Sequence, residues 1–228
     1  MVMISHSHSF IFLKTRKTAG TSVEMALQPL CTPPGTPIIE QTSVIESRFG
    51  VVGRRLMQPG PLARLTFWRR DWYNHMPAVK VERALGHQRW ERYRKVATIR
   101  NPFDLAVSRY HFELARRDQP EKADFRETQA DFRAMVERMT IDGDHDIVHL
   151  NGKFVCDEVI SFEKLREDVV RVAAILAPDM PAPELPHTKK TASRQTHPVT
   201  EYFDAASIAR IRQTAGWIFD RFGYPDRP

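Results

Sequence analysis

Phe10-Ile11-Phe12-Leu13-Lys14-Thr15-Arg16-Lys17-Thr18-Ala19-Gly20-Thr21-Ser22-Val23-Glu24-Met25-Ala26-Leu27 is the stretch that decides how this chain is read. The apolar run Phe10 to Leu13 predicts a buried strand, and Val23 to Leu27 opens a helix after a loop of small residues. A strand, a tight loop and a helix N-terminus gather several backbone amides at one spot, where the helix dipole favours negative charge. Lys17 stands at the loop entrance, where its ammonium can reach an oxygen shared by two bound groups. The competing reading of Lys17 is a solvated lysine at a strand end.

This cradle is not the triphosphate P-loop, which needs G-x-x-x-x-G-K-S/T with the lysine after the glycines. Here Lys17 precedes Thr18-Ala19-Gly20-Thr21-Ser22, and the loop holds a single glycine. No apolar strand ends in an Asp placed to hold Mg²⁺; the nearest candidate, Val96-Ala97-Thr98-Ile99, runs into Arg100. A dinucleotide site is also unsupported, because no G-x-G-x-x-G occurs.

A second stretch, Arg94 to Tyr110, has the same plan. Val96 to Ile99 is a short buried strand, and Asn101-Pro102 turns the chain with Pro102 at the first position of a helix. Arg100 sits at the strand's C-terminal end and Ser108 about two turns into the helix. A guanidinium fork and a hydroxyl could converge there on one phosphate. The alternative is an arginine that caps the sheet and a serine that merely packs.

Together the two stretches resemble the sulfotransferases that use 3′-phosphoadenosine 5′-phosphosulfate (PAPS). Lys17-Thr18-Ala19-Gly20-Thr21-Ser22 is similar to the family's 5′-phosphosulfate loop in the K-T-A-x-T-S form of carbohydrate sulfotransferases. Arg100-Asn101-Pro102-Phe103-Asp104 through Ser108-Arg109-Tyr110 resembles its 3′-phosphate motif, R-N-P-x-D-x-x-x-S-x-Y. Phe162-Glu163-Lys164-Leu165 resembles the Y-E-x-L junction, and Asp220-Arg221-Phe222-Gly223-Tyr224 the D-x-F-G-Y with which many bacterial members end. The resemblance spans residues 10 to 224, and its first two motifs are the specific ones. Cytosolic small-molecule members carry a Trp at the end of the first loop, where this chain has Ser22, so adenine must be held by another residue.

Composition adds bounds. A chain of 228 residues can form one α/β domain with a full core, and 1–228 is expected to be a single sulfotransferase-like domain. Its net charge of +6 suits anionic ligands. The basic residues are interspersed with acids, as in Glu163-Lys164-Leu165-Arg166-Glu167-Asp168, which argues against a nucleic-acid partner. Cys31 and Cys156, far apart in sequence, do not suggest a disulfide framework and are expected to be buried thiols in a reducing compartment. No stretch approaches the ~20 apolar residues of a membrane span. Only nine residues precede the first predicted strand, which leaves no room for a signal peptide or anchor and points to a bacterial cytoplasmic protein.

Along the chain, strands are predicted at about 9–14, 94–99 and 159–162, with helices over 20–29, 78–85, 102–117, 124–139, 164–176 and 200–222. Asn151-Gly152 marks a hairpin within Val148 to Val155. Arg64 to Tyr73 is aromatic and basic, either a lid facing substrate or partner or an amphipathic flap on the core. The alternation implies a mainly parallel sheet with ligands beyond the strands' carboxyl ends, where Lys17 and Arg100 lie. With the resemblance, the expected fold is a P-loop-like three-layer α/β fold, a mainly parallel central sheet flanked by helices.

Sulfuryl transfer also needs a proton acceptor. Asn74-His75-Met76-Pro77 resembles the family's histidine-containing loop between the two phosphate motifs. An imidazole with a pKa near 6.5 is largely neutral at pH 7 and can take the acceptor's proton. The competing role for His75 is to hold its loop through a backbone hydrogen bond. His87 is the weaker candidate, and Glu24 and Glu113 lie on helices with nothing to single them out. His6-Ser7-His8 is read as a frayed terminus rather than a metal site. Asp142 to Asp146 is read as a turn, because Ile147 and Lys153 stand where a calcium loop has its glycine and final Glu. The polar loop His187 to Pro198 resembles the basic segment that closes over the 3′-phosphate, with Lys190 and Arg194 as its candidates.

These readings converge on a metal-independent transfer of a sulfuryl group from PAPS to a hydroxyl or amine acceptor, a saccharide, lipid head group or metabolite. Lys17 and His75 would be catalytic, and Lys17 to Ser22, Arg100, Ser108, Lys190 and Arg194 would bind the donor. The alternatives are a nucleotide-dependent phosphotransferase and a non-catalytic nucleotide- or polyanion-binding protein.

Overall fold

The computed structural model describes residues 1–40, 43–55, 72–118, 122, 124–186 and 197–228. The elements run β1 (Met3–Ser5), β2 (Phe10–Leu13), α1 (Gly20–Leu27), β3 (Ile45–Glu46), β4 (Gly50–Val52), α2 (Ala78–Leu85), α3 (His87–Arg92), β5 (Arg94–Ile99), α4 (Pro102–Arg116) and α5 (Phe125–Arg138). Then come α6 (His145–Val148), the hairpin β6 (His149–Leu150) and β7 (Lys153–Phe154), β8 (Glu158–Ser161), α7 (Leu165–Leu176), α8 (Val199–Tyr202) and α9 (Ala205–Phe222). The fold is mixed α/β, with a central six-stranded sheet flanked by helices. The chain divides into two compact units: Met1–Ile99 with His145–Thr188, and Arg100–Asp144 with Lys189–Pro228.

The first unit holds the sheet, in the order β3-β4-β1-β2-β5-β8. Phe10 to Leu13 are all buried, as a continuous apolar run requires of a strand covered on both faces. Phe10 and Phe12 face one side, where they pack with Val96, Ile160 and the α1 and α7 residues Val23, Leu27, Val169 and Val172. The strands that lead into the two motifs are neighbours, with Phe12 opposite Val96.

The sheet is not mainly parallel. The β2–β5 and β5–β8 pairings are parallel, as expected from strands joined by helical crossovers. The β1–β2, β1–β4 and β3–β4 pairings are antiparallel. Residues 6–9 between β1 and β2 are too few for a parallel crossover, so β1 must turn back on its neighbour.

The N-terminus is not frayed. Met1 to Ser5 are buried, and His6 Nδ1 lies 3.0 Å from the Tyr93 hydroxyl. Burying the Met1-Val2-Met3-Ile4 run against β2 and β4 outweighs the entropy of a short terminal strand. Cys31 is buried, which raises its thiol pKa, whereas Cys156 is only half-buried; neither forms a disulfide. Asn151 and Gly152 both have positive φ, 51° and 75°, as a type I′ hairpin turn demands.

The second unit is helical. Phe103, Tyr110, Phe132, Tyr202, Phe203, Ile211 and Phe219 form its core. Pro102 and the Asn101 side chain, which accepts from Phe103 N, start α4. A reciprocal Asp204–Ser207 capping box starts α9, and Gly223, left-handed at φ 66°, ends it within the D-x-F-G-Y segment. Among the described residues, no helix is long and apolar enough to cross a membrane.

Candidate functional site

The loop between β2 and α1 is held in an uncommon backbone shape. Lys17 and Ala19 both have left-handed φ, 62° and 58°, with no glycine at either position. Such strain persists only where surrounding contacts over-determine it. Three buried hydroxyls supply those contacts. Thr15 Oγ1 donates to the Thr98 carbonyl at 2.6 Å, and Thr18 Oγ1 to the Thr15 carbonyl at 3.2 Å. Thr18 Oγ1 also lies 2.6 Å from Thr98 Oγ1. The loop is thereby tied to the end of β5, immediately before Arg100. Ala19 is the N-cap of α1, so Gly20 and Thr21 open the helix with amides that have no intrahelical acceptor.

Beneath the loop lies a charged residue that no motif marks. Lys14 is 6% exposed, and its ammonium donates to Thr21 Oγ1 at 3.1 Å and Glu24 Oε2 at 2.7 Å. Glu24 also pairs with the Met1 amino group, so it is engaged and unsuited to be a base. Gly20 is not left-handed. Its missing Cβ makes room for the Lys14 stem, whose Cγ would lie 2.8 Å from that Cβ.

His75, left-handed at φ 57°, is half-buried beside the same strand end. Its Nδ1 lies 3.0 Å from the Lys14 carbonyl oxygen, and a carbonyl only accepts, so Nδ1 carries the proton and Nε2 is the acceptor. Burial pushes the imidazole pKa down to about 3; the Lys14 carbonyl opposes this, and the charges of Lys14, Arg16 and the Met1 amine add to it. The ordinary value near 6.5 expected from sequence is therefore corrected: the ring is neutral far below neutral pH. His75 has the loop-holding hydrogen bond of the competing reading, and that bond also sets the tautomer a base needs.

In the second unit, Arg100 Nε donates to Asp104 Oδ2 at 2.6 Å. Asp104 and Ser108 are four residues apart on α4 and share a face, so the arginine's partner directs it along the face that carries Ser108. A guanidinium has five N–H donors, and this one commits Nε to Asp104.

The remaining candidates fall away or lie elsewhere. His87 is exposed and paired with Glu82, and Glu113 pairs with Arg116. Asp142 to Asp144 form a bend, with Asp142 Oδ1 accepting from Asp144 N, whereas His145 and Asp146, read as part of a turn, open α6; among the described residues no group of His, Cys, Asp or Glu is arranged to hold a metal ion. Lys190, Arg194 and residues 64–71 lie outside the described residues. Thr15, Thr98 and Lys14 were missed by sequence reasoning. The available signals were a lone hydroxyl in the apolar strand Val96-Ala97-Thr98-Ile99 and a lysine ending an otherwise apolar run.

No family model and no curated protein matches the chain. Among solved structures it is similar to a sulfotransferase from Alicyclobacillus acidocaldarius, at 19% identity over 89% of this chain and 93% of the other, with a TM-score of 0.42.

Proposed function

We propose that the chain transfers a sulfuryl group from PAPS to a hydroxyl or amine on a saccharide, lipid head group or metabolite. The observation that carries this reading is the strand–loop–helix cradle of residues 15–22, with Lys17 and Ala19 both held left-handed at the entrance to α1. Its amides and the Lys17 ammonium suit the 5′-phosphosulfate, and Arg100 with Ser108 suits the 3′-phosphate. Thr18 would contribute its amide, because its hydroxyl is engaged with Thr15 and Thr98.

In the reaction, the acceptor oxygen or nitrogen attacks sulfur while the bond from sulfur to the bridging phosphate oxygen breaks. The electron pair stays on that oxygen, where Lys17 and the loop amides stabilise it. The acceptor's proton passes to Nε2 of His75, whose pKa would rise from its low donor-free value once the anionic donor lies beside the ring, and adenosine 3′,5′-bisphosphate leaves. No metal ion enters these steps.

The test is sulfate transfer from labelled PAPS onto fractionated host-cell extracts, with and without purified protein. Label appearing in one acceptor fraction, and lost with Lys17→Ala, supports the proposal. Label in no fraction, with PAPS unconsumed, opposes it.

A further inference from the structure

Lys14 touches both halves of the machinery in the first unit. Burying an ammonium is costly unless it is paired and hydrogen-bonded. Here the partners are Thr21 and Glu24, three residues apart on one face of α1 and within the turns that present the loop amides. The stem of the same side chain occupies the space that a Cβ at Gly20 would need. The main-chain carbonyl of the same residue accepts a hydrogen bond from His75 Nδ1–H. One residue thus sets where α1 begins relative to β2 and which nitrogen of His75 is left to accept a proton.

We infer that Lys14 is a positioning residue that holds the anion cradle and the His75 ring in register, through its ammonium on Thr21 and Glu24 and its carbonyl on His75. The inference rests on the reading of this site as the place of sulfuryl transfer. Lys14 differs from a purely structural lysine in its readouts: removing the charge should move donor affinity and the His75 midpoint, not stability alone. The charged side chains that bear on the ring are Lys14 and Arg16, both positive and both disfavouring the imidazolium, while burial pushes the pKa of the neighbouring Met1 amine itself well down.

The experiment follows His75 by ¹⁵N NMR and measures adenosine 3′,5′-bisphosphate affinity by calorimetry, in the wild type and in Lys14→Met, which keeps the stem and removes the charge. In the wild type, His75 is expected to be protonated at Nδ1 and to titrate far below 6.5. In Lys14→Met, its midpoint should move up and bisphosphate affinity should fall about tenfold or more. If the single variant does not fold, Lys14→Met/Glu24→Gln, which leaves neither partner of the pair alone, takes its place with bisphosphate affinity as its readout, and unchanged affinity there would overturn the inference. An Nε2-protonated ring in the wild type, or an unchanged His75 midpoint in the variant, would overturn the inference whatever the affinity does. A wild type that binds no bisphosphate defeats the proposed function instead, and the His75 titration still decides the role of Lys14.

Discussion

Thr18 and Thr98, 80 residues apart in sequence, bring their hydroxyl oxygens within 2.6 Å of each other in the interior of the first unit. One proton assignment satisfies all three threonines. Thr15 donates to the Thr98 carbonyl, Thr18 to the Thr15 carbonyl, and Thr98 to Thr18. This cyclic arrangement is what binds the strained loop to β5. Thr98→Val, nearly isosteric, should leave buried hydroxyl groups short of a donor and cost about 1–3 kcal/mol. Urea denaturation at pH 7.5 measures it; a change below about 0.5 kcal/mol, the range of an ordinary surface substitution, would mean that the loop is held by other contacts.

Lys17 should matter most as charge builds on the leaving phosphate. Lys17→Ala is expected to lower turnover about 10²–10³-fold with a much smaller effect on acceptor KM. Steady-state kinetics decide this, and near-normal turnover would remove Lys17 from the mechanism.

Arg100→Ala should weaken adenosine 3′,5′-bisphosphate binding by about 1.5–3 kcal/mol while barely altering adenosine 5′-monophosphate. The orphaned Asp104 sits in the first turn of α4, where the helix dipole favours a carboxylate, so little stability should be lost. Calorimetry with both nucleotides separates the cases. Equal losses for the two would make Arg100 a structural arginine.

His75→Ala should lower transfer ~10²–10⁴-fold and leave bisphosphate affinity intact. With its pKa pushed down to about 3, the folded ring stays neutral while the unfolded one protonates below about 6.5. The unfolded state therefore binds more protons between those values. Stability from this group is full above pH 6.5 and is lost as pH falls through 6.5 towards 3. Urea denaturation at pH 7.5 and pH 5 should show the wild type losing more stability than His75→Gln. The transfer rate should show no inflection near 6.5; finding one would place His75 in a far more solvated site.

The strands and helices that carry the motifs were legible because local chemistry determines them. Pro102 at the start of α4, the Asn151-Gly152 turn and the unbroken apolar run of β2 each admit one local structure. β1 was missed because a three-residue strand followed by His6-Ser7-His8-Ser9 looks like a solvated terminus; its partners come from β2 and β4. α3 was missed because His87 to Arg92 buries only Trp90 and so shows no apolar periodicity. At the candidate site, the loop and its lysine were readable, but the depressed His75 pKa was not. Burial is a tertiary property, and the bond to Lys14 spans 61 residues. The Lys14–Glu24 pair joins a strand end to a helix, and no helical or strand period relates two such positions.

The most direct test of the central claim is a calorimetric titration of the wild-type protein with adenosine 3′,5′-bisphosphate in the presence of EDTA, set against ATP with Mg²⁺. The account predicts saturable binding of the bisphosphate without a metal ion and little heat from ATP–Mg²⁺. Tight ATP–Mg²⁺ binding with no response to the bisphosphate would contradict it and identify the cradle as that of a phosphotransferase.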